Sequence, residues 1–143
     1  MSEACLALHR VRVPVVSRVD GYAVGAGMNL ALAADFVVAS TRATFAEIFV
    51  KRGLSVDFGG SWLLPRLVGL HRAKQMVLLG DMMTAERLHH LGVVHEVVEP
   101  ELLDAAVATL TDKLAAAPPV AVAQSKRLLN ESFEISLDAA LEG

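Results

Sequence analysis

The chain has 143 residues, 54% of them hydrophobic, which is enough for one domain with a buried core. Its 13 basic and 16 acidic side chains give a formal charge of −3, and the basic residues are scattered, so neither nucleic-acid binding nor a polybasic membrane patch is indicated. The single cysteine, Cys5, excludes a disulfide within the chain, and no apolar run is long enough to span a bilayer, so we expect a soluble, cytoplasmic protein with no nucleic-acid or membrane partner.

Alternating strands and helices are predicted over the first part of the chain. An apolar run over residues 13–19 indicates a short buried strand that stops at Asp20-Gly21. Good helix formers over 28–34 predict a helix, and apolar segments at 36–39 and 44–49 predict a second and a third strand. Strand, helix and strand in this compact order predict an α/β fold with parallel strands.

Helices predominate in the second part. A loop at 55–61 contains Asp57, and Ser61 is the predicted N-cap of a helix over 62–68 that holds Pro65 in its first turn. The remaining predictions are a helix over 71–79 that ends at Gly80, a helix capped by Thr84 that ends at Gly92, a strand over 93–98, a helix over 102–117 after Pro100, and a helix over 120–133 after Pro118-Pro119.

Three small residues, Gly25-Ala26-Gly27, follow the first apolar run and precede the first predicted helix. Small residues at a strand-to-helix junction let another molecule approach the backbone closely. The first turn of a helix leaves N–H groups without intrahelical partners and adds positive potential, which suits a carbonyl oxygen that becomes negative during a reaction. The alternative from spacing alone is a tight turn with close packing, because short glycine motifs are weak signals.

Several ordered segments resemble one enzyme superfamily. They are residues 14–27 (PVVSRVDGYAVGAG), 36–40 (FVVAS), 43–45 (ATF), 53–54 (GL), 57–69 (DFGGSWLLPRLVG) and 79–94, which contains LGD, AER and LGVV. At this spacing they resemble the crotonase superfamily of enoyl-CoA hydratases and isomerases, from Pro14 onward over nearly the whole chain. The combination of these motifs is much more specific than any one of them.

The resemblance implies a fold and a ligand. The fold is a partial spiral of ββα units followed by a helical C-terminal region, in one domain over 1–143 with the α/β core at 13–70 and a mainly helical part at 71–143. The family's usual first strands and final helices fall outside the match, so we expect a chain truncated at both ends. The ligand is an acyl-CoA thioester, with CoA as part of the substrate and no metal or other cofactor, and homo-trimers or hexamers are expected.

A site for the thioester oxygen is also implied. In the family two backbone N–H groups hold that oxygen, and one of them matches Ala26, flanked by Gly25 and Gly27. Negative charge develops on the oxygen when an alpha or gamma proton moves, and losing one such donor typically costs about 3–4 kcal/mol of barrier stabilisation. The second N–H belongs to a segment upstream of the match.

The acid–base residues that the resemblance implies favour isomerisation over hydration. Hydratases of the family use two glutamates, and Asn29 and Phe49 stand in their places, where neither can exchange a proton. Isomerase-like members carry an aspartate in the pattern Gly-Leu-x-x-Asp-x-Gly-Gly, which residues 53–60 match with Asp57. We therefore expect Asp57 to move the proton, with Gly25, Gly27, Phe49 and Phe58 contacting the substrate.

Alternatives stay open for single residues and for the whole chain. Asp57 would otherwise cap the following helix, and Glu47 is a second candidate carboxylate whose ordinary role is an exposed or salt-bridged side chain. The leading expectation is double-bond isomerisation of an enoyl-CoA. The alternatives are a catalytically silent subunit that needs a partner, and a hydratase or other acyl-CoA reaction on the same fold.

Overall fold

The computed structural model describes residues 2–142, which form two three-stranded sheets and a set of helices. The strands are β1 Val16–Val19, β2 Tyr22–Val24, β3 Phe36–Ser40, β4 Thr44–Ala46, β5 Met83–Thr84 and β6 Glu96–Val98. The α-helices are α1 Ser2–His9, α2 Ala26–Leu32, α3 Gly60–Val68, α4 Leu70–Leu79, α5 Ala85–His90, α6 Leu103–Ala116, α7 Pro119–Glu131 and α8 Leu137–Glu142. Two 3₁₀ helices cover Ile48–Arg52 and Pro100–Leu102.

The first sheet has the order β1-β3-β6 and is parallel throughout. Val16 lies opposite Phe36, and Val38 lies opposite Glu96. Parallel neighbours need a long crossover, and the one from β1 to β3 contains helix α2. The predicted parallel α/β arrangement is thereby confirmed, and β6 from the second part of the chain completes this sheet.

The second sheet begins with β2, a strand that was not predicted. β2 pairs in parallel with β4, Ala23 opposite Phe45, and β4 pairs antiparallel with β5. Asp20 anchors the turn before β2, because its carboxylate accepts hydrogen bonds from Arg42 Nε at 2.6 Å and Ser40 Oγ at 2.7 Å. These bonds from Arg42 and Ser40 hold the pKa of Asp20 well below its usual range. The charged pair therefore fixes the place where the chain leaves one sheet for the other.

One contiguous hydrophobic core joins both sheets to helices α2, α3, α4 and α5. Met28, Phe45, Leu64 and Leu88 are fully buried in it. The C-terminal helices contribute much less, because α6 buries Leu103 while the described residues of α7 and α8 include none that is buried. The core that positions the candidate site is therefore built by the residues up to β6.

Several predicted helix boundaries are confirmed by their capping geometry. Gly80 ends α4 in the left-handed conformation with φ 63°, as a C-terminal glycine does. The Thr84 hydroxyl accepts a hydrogen bond from the Arg87 N–H at 3.1 Å, which makes it the N-cap of α5.

Other predicted boundaries are wrong. Helix α3 starts at Gly60 with Gly59 as its N-cap, so Ser61 lies inside the helix and Pro65 stands in its interior rather than in its first turn. The predicted third strand ends at Ala46 and continues as a 3₁₀ helix, since a short apolar run does not distinguish strand from helix by periodicity.

Helices α1 and α8 were not predicted, and α1 depends on tertiary contacts. The His9 ring packs edge-on against Trp62 with ring centroids 5.3 Å apart.

Within residues 2–142 no helix is both long and apolar enough to cross a membrane.

Candidate functional site

The junction between β2 and α2 has the geometry that the glycine-rich motif predicts. Gly25 is the N-cap of α2 with φ 57°, a conformation that favours glycine, and its N–H donates to the Ala46 carbonyl at 2.7 Å. Ala26 is the first helical residue, so its N–H has no carbonyl four residues earlier within the helix to bond. The strand pairing thus fixes the helix start and leaves the Ala26 N–H without a helical partner.

Phe49 lies beside this junction. A β-carbon placed on Gly25 would lie 3.6 Å from Cζ of the Phe49 ring, in ordinary van der Waals contact. Phe49 belongs to the 3₁₀ helix and is partly buried. The structure therefore brings two predicted substrate-contacting residues, Gly25 and Phe49, together on one side of the α2 N-terminus.

The loop that carries Asp57 precedes helix α3. Asp57 is partly buried, and its Oδ1 accepts a hydrogen bond from the Phe58 N–H at 2.7 Å. Phe58 is buried and has φ 52°, an uncommon left-handed conformation for a residue other than glycine, and Gly59 follows with φ 74°. Two left-handed residues in succession turn the chain sharply into α3.

The capping alternative for Asp57 does not describe its contacts. Gly59 is the N-cap residue of α3, and it forms no side-chain cap hydrogen bond. The Asp57 carboxylate bonds the N–H of the next residue, whereas its backbone carbonyl accepts from the Gly60 N–H at 3.1 Å. The other carboxylate oxygen, Oδ2, has no hydrogen bond among the described residues.

A buried polar pair supports this loop, and sequence reasoning missed it. Asn29 Nδ2 donates to Glu47 Oε2 at 3.2 Å and to the backbone carbonyl of Asp57 at 2.8 Å. Both side chains of the pair are fully buried. The available signal was a single charged residue between Phe45 and Phe49 in an otherwise apolar segment. Helix α2 is thereby tied to the end of β4 and to the Asp57 loop at once.

The expectation that Glu47 is an ordinary exposed glutamate is wrong. Its side chain is 0% exposed, and Oε1 has no hydrogen-bond partner among the described residues. Burial raises the pKa of Glu47 from 4.5 to about 7, although the hydrogen bond from Asn29 opposes the change. At neutral pH this carboxyl therefore exchanges between its acid and its ionised form.

The burial of Glu47 predicts a pH dependence of stability. Between about pH 4.5 and 7 the folded chain binds more protons at Glu47 than the unfolded chain, so the free energy of unfolding falls as pH rises, by on the order of 3 kcal/mol from this residue. Glu47→Gln removes the titrating group and is expected to flatten that slope. Urea unfolding at about pH 5 and about pH 8 measures it, with exposed Glu86→Gln as control. An equal slope in wild type and Glu47→Gln contradicts the assignment.

A large cleft lies apart from these residues. It has a volume of about 1510 Å³ and runs between α1, α6, α7 and the side chain of Trp62. Gly59 and Leu63 border it, while Ala26, Glu47 and Asp57 do not. We place the candidate site at the α2 N-terminus and the Asp57 loop, because the residues of the glycine-rich motif and of the Asp57 pattern lie there.

Metal chemistry has no visible site in the described part of the chain. In residues 2–142 no group of three or more His, Cys, Asp and Glu side chains is arranged to hold a metal ion. Lys51, a cation near the site in sequence, pairs with Asp81 on the surface at 3.5 Å.

Comparison with known proteins identifies the family to which the chain belongs. The family model described as enoyl-CoA hydratase/isomerase matches residues 1–143. The 1,2-epoxyphenylacetyl-CoA isomerase of Escherichia coli K12 is 38% identical over 94% of this chain and 52% of the relative, and the crotonyl-CoA hydratase of Syntrophomonas wolfei is 36% identical over 90% and 49%. The crystal structure of an enoyl-CoA hydratase/isomerase from Cupriavidus metallidurans CH34 matches with a TM-score of 0.95, 38% identity and coverage of 98% of this chain and 53% of that one.

The fold is thus a crotonase fold, and the described residues correspond to part of it. The chain belongs to the enoyl-CoA hydratase/isomerase family. It spans about half the length of the curated relatives it matches. The predictions of a homo-oligomer, of a cytoplasmic location and of no cofactor beyond the substrate stay predictions.

Proposed function

We propose that this chain carries the proton-transfer and enolate-binding part of an enoyl-CoA isomerase, with Asp57 as the acid–base residue. The observation that carries the proposal is the hydrogen bonding of Asn29. This residue stands where the resemblance places a hydratase glutamate, and both of its amide hydrogens are engaged by Glu47 and the Asp57 carbonyl. Asp57 is then our choice of acid–base residue, because its side chain is only partly buried and its Oδ2 has no hydrogen bond among the described residues, whereas Glu47 is fully buried.

Phe49 supports isomerisation over hydration. The second hydratase glutamate is replaced by an aromatic ring that lies against Gly25. An aromatic ring neither orients nor deprotonates a water molecule, so addition of water to the double bond lacks its usual machinery. A single carboxylate is sufficient to transfer a proton from one carbon to another.

The reaction uses two groups of this chain. The Asp57 carboxylate removes a proton from the alpha or gamma carbon of an acyl-CoA thioester, and the electron pair of the C–H bond moves toward the thioester carbonyl. The oxygen becomes an enolate, which the Ala26 N–H stabilises as hydrogen-bond donor. The carboxylic acid of Asp57 then returns the proton to the other carbon, so that the double bond moves and no atom is gained or lost.

A catalytically silent subunit is the second candidate. One observation favours it: the C-terminal helices leave large apolar side chains exposed, among them Val120, Leu129 and Phe133. Such a subunit would bury these side chains against a partner.

The test separates isomerase, hydratase and silent subunit. The purified protein is incubated with a 3-enoyl-CoA and, separately, with a 2-enoyl-CoA in deuterium oxide, and products are resolved by chromatography and mass spectrometry. We expect the two enoyl-CoA isomers to interconvert, with deuterium incorporated at the carbon that receives the proton whenever the Asp57 proton exchanges with solvent. A 3-hydroxyacyl-CoA product shows hydration instead, and the absence of any product supports the silent subunit.

A further inference from the structure

Glu47 lies in the core without the partners that a buried carboxylate ordinarily has. Its Oε2 accepts one hydrogen bond, from Asn29, and its Oε1 has none among the described residues. A buried carboxyl with this few partners destabilises the fold relative to an apolar residue of similar size. Stability alone therefore does not account for a glutamate at this position.

The orientation of the Asn29 amide follows from its neighbours. Nδ2 has two hydrogens, and it faces two acceptors, the Glu47 carboxyl oxygen at 3.2 Å and the Asp57 carbonyl at 2.8 Å. A reversed amide would place Oδ1 against the Asp57 carbonyl, where two acceptors repel each other. The ionised Glu47 carboxylate, which also only accepts hydrogen bonds, thus acts with the Asp57 carbonyl to fix the amide that in turn holds the Asp57 main chain.

The loop held in this way leaves little room to relax. A β-carbon on Gly60 would collide with Asn29 Nδ2, so the start of α3 packs directly on the amide. The intervening Phe58 holds a left-handed backbone conformation, which is unfavourable for a residue with a side chain. Loss of the amide contact removes a restraint from a segment that is already strained.

We propose that Glu47 is a positioning residue for Asp57: through Asn29 it holds the Asp57 main chain and thereby the carboxylate at the start of helix α3. This inference rests on the proposed isomerase function for its kinetic consequence. The positional consequence, an ordered loop at residues 57–60, does not depend on any activity. Glu47 itself exchanges no proton with the substrate.

The charged groups near Glu47 do not set its ionisation. Helix α2 and strand β4 carry no titratable side chain, and Arg66 on α3 stacks over Trp62 at 3.9 Å. The 3₁₀ helix carries Lys51 and Arg52, both exposed, and Lys51 pairs with Asp81, which follows α4. The supported loop brings Asp57. Burial and the Asn29 hydrogen bond are the causes of the raised pKa of Glu47, and none of these charged groups is among them.

The sign of the pH effect follows from hydrogen-bond strength. An ionised carboxylate accepts the Asn29 N–H more strongly than the neutral acid does. The loop is therefore held best above about pH 7, where Glu47 is ionised, and kcat is expected to fall as Glu47 becomes protonated at lower pH.

The experiment combines hydrogen exchange with kinetics in three variants of the full chain: Glu47→Gln, Asn29→Ala and the double variant Asn29→Ala/Glu47→Gln. Amide exchange over 57–60 requires no substrate and is expected to accelerate about tenfold or more in Asn29→Ala. The kcat of Asn29→Ala is expected to fall on the order of 10- to 100-fold while KM changes little, because Asp57 is misplaced. Glu47→Gln is expected to show at every pH the lower kcat that wild type shows at low pH.

The double variant distinguishes positioning from general structural damage. Because Glu47 acts through Asn29, the double variant is expected to lose no more kcat or loop protection than Asn29→Ala alone. Losses that add, or a Glu47→Gln protein with the wild-type pH profile and exchange rates, overturn the inference. If wild type lacks isomerase turnover, the proposed function fails while the exchange measurements still decide the positioning role.

Discussion

Asp57→Asn is expected to lower isomerase kcat by about 10²- to 10⁴-fold, the range that a positioned acid–base group contributes. The amide oxygen of asparagine still accepts the hydrogen bond that Asp57 Oδ1 receives from the Phe58 N–H, so the loop keeps its shape. The variant loses the ability to take a proton from carbon. The measurement is steady-state turnover of an enoyl-CoA, together with acyl-CoA binding followed by calorimetry.

The matched control for this variant is Asp112→Asn on helix α6. Asp112 is exposed, and none of the hydrogen bonds or ion pairs within residues 2–142 involves its side chain. Its substitution is expected to leave turnover unchanged, while Asp57→Asn binds acyl-CoA with nearly wild-type affinity. Turnover of Asp57→Asn within a few-fold of wild type rules out Asp57 as the acid–base residue.

Ala26→Pro is expected to lower kcat by about 10²- to 10³-fold, the effect of removing one donor from an oxyanion hole. Proline has no N–H, and the first helical position is where a helix accepts it best, since no intrahelical hydrogen bond is lost there. The preceding residue, Gly25, tolerates backbone conformations that other residues avoid before proline. The substitution therefore removes the donor with little change to helix α2.

The comparison for Ala26→Pro is Ala26→Ser, which keeps the N–H and adds only a small side chain. Its loss of kcat is expected to be far smaller than that of Ala26→Pro. Circular dichroism and thermal unfolding establish that both variants fold. Equal kcat for the folded proline variant and wild type places the thioester oxygen elsewhere.

The fold was predictable where one physical signal dominated. The apolar run that ends at Val19 forms strand β1, and the helix formers up to Leu32 form helix α2. Gly80 and Thr84 act as caps through their own backbone and side-chain chemistry, so neighbouring residues do not override them. Strand β2 escaped prediction because three residues beside a turn are too few to show alternation.

The candidate site was predictable in part, for a different reason. The glycines around Ala26 and the pattern around Asp57 are local in sequence, and the resemblance to a family gave them roles that no spacing could supply. The pairing of Asn29 with Glu47 joins residues 18 positions apart, and the burial of Glu47 depends on the packing of α2 against β4 and the Asp57 loop. Most glutamate side chains in folded proteins are exposed, and Glu47 is buried only because the core packs around it.

Cys5 provides a labelling site beside the Asp57 loop. Its thiol donates to the Phe58 carbonyl at 3.6 Å, and a β-carbon on Gly59 would lie 2.9 Å from its sulfur, so α1 touches the loop from the side of the large cleft. Since the chain has one cysteine, a thiol-reactive fluorophore attaches at a single known point. Emission from that dye would follow the loop in real time during ligand mixing, without any engineered labelling site.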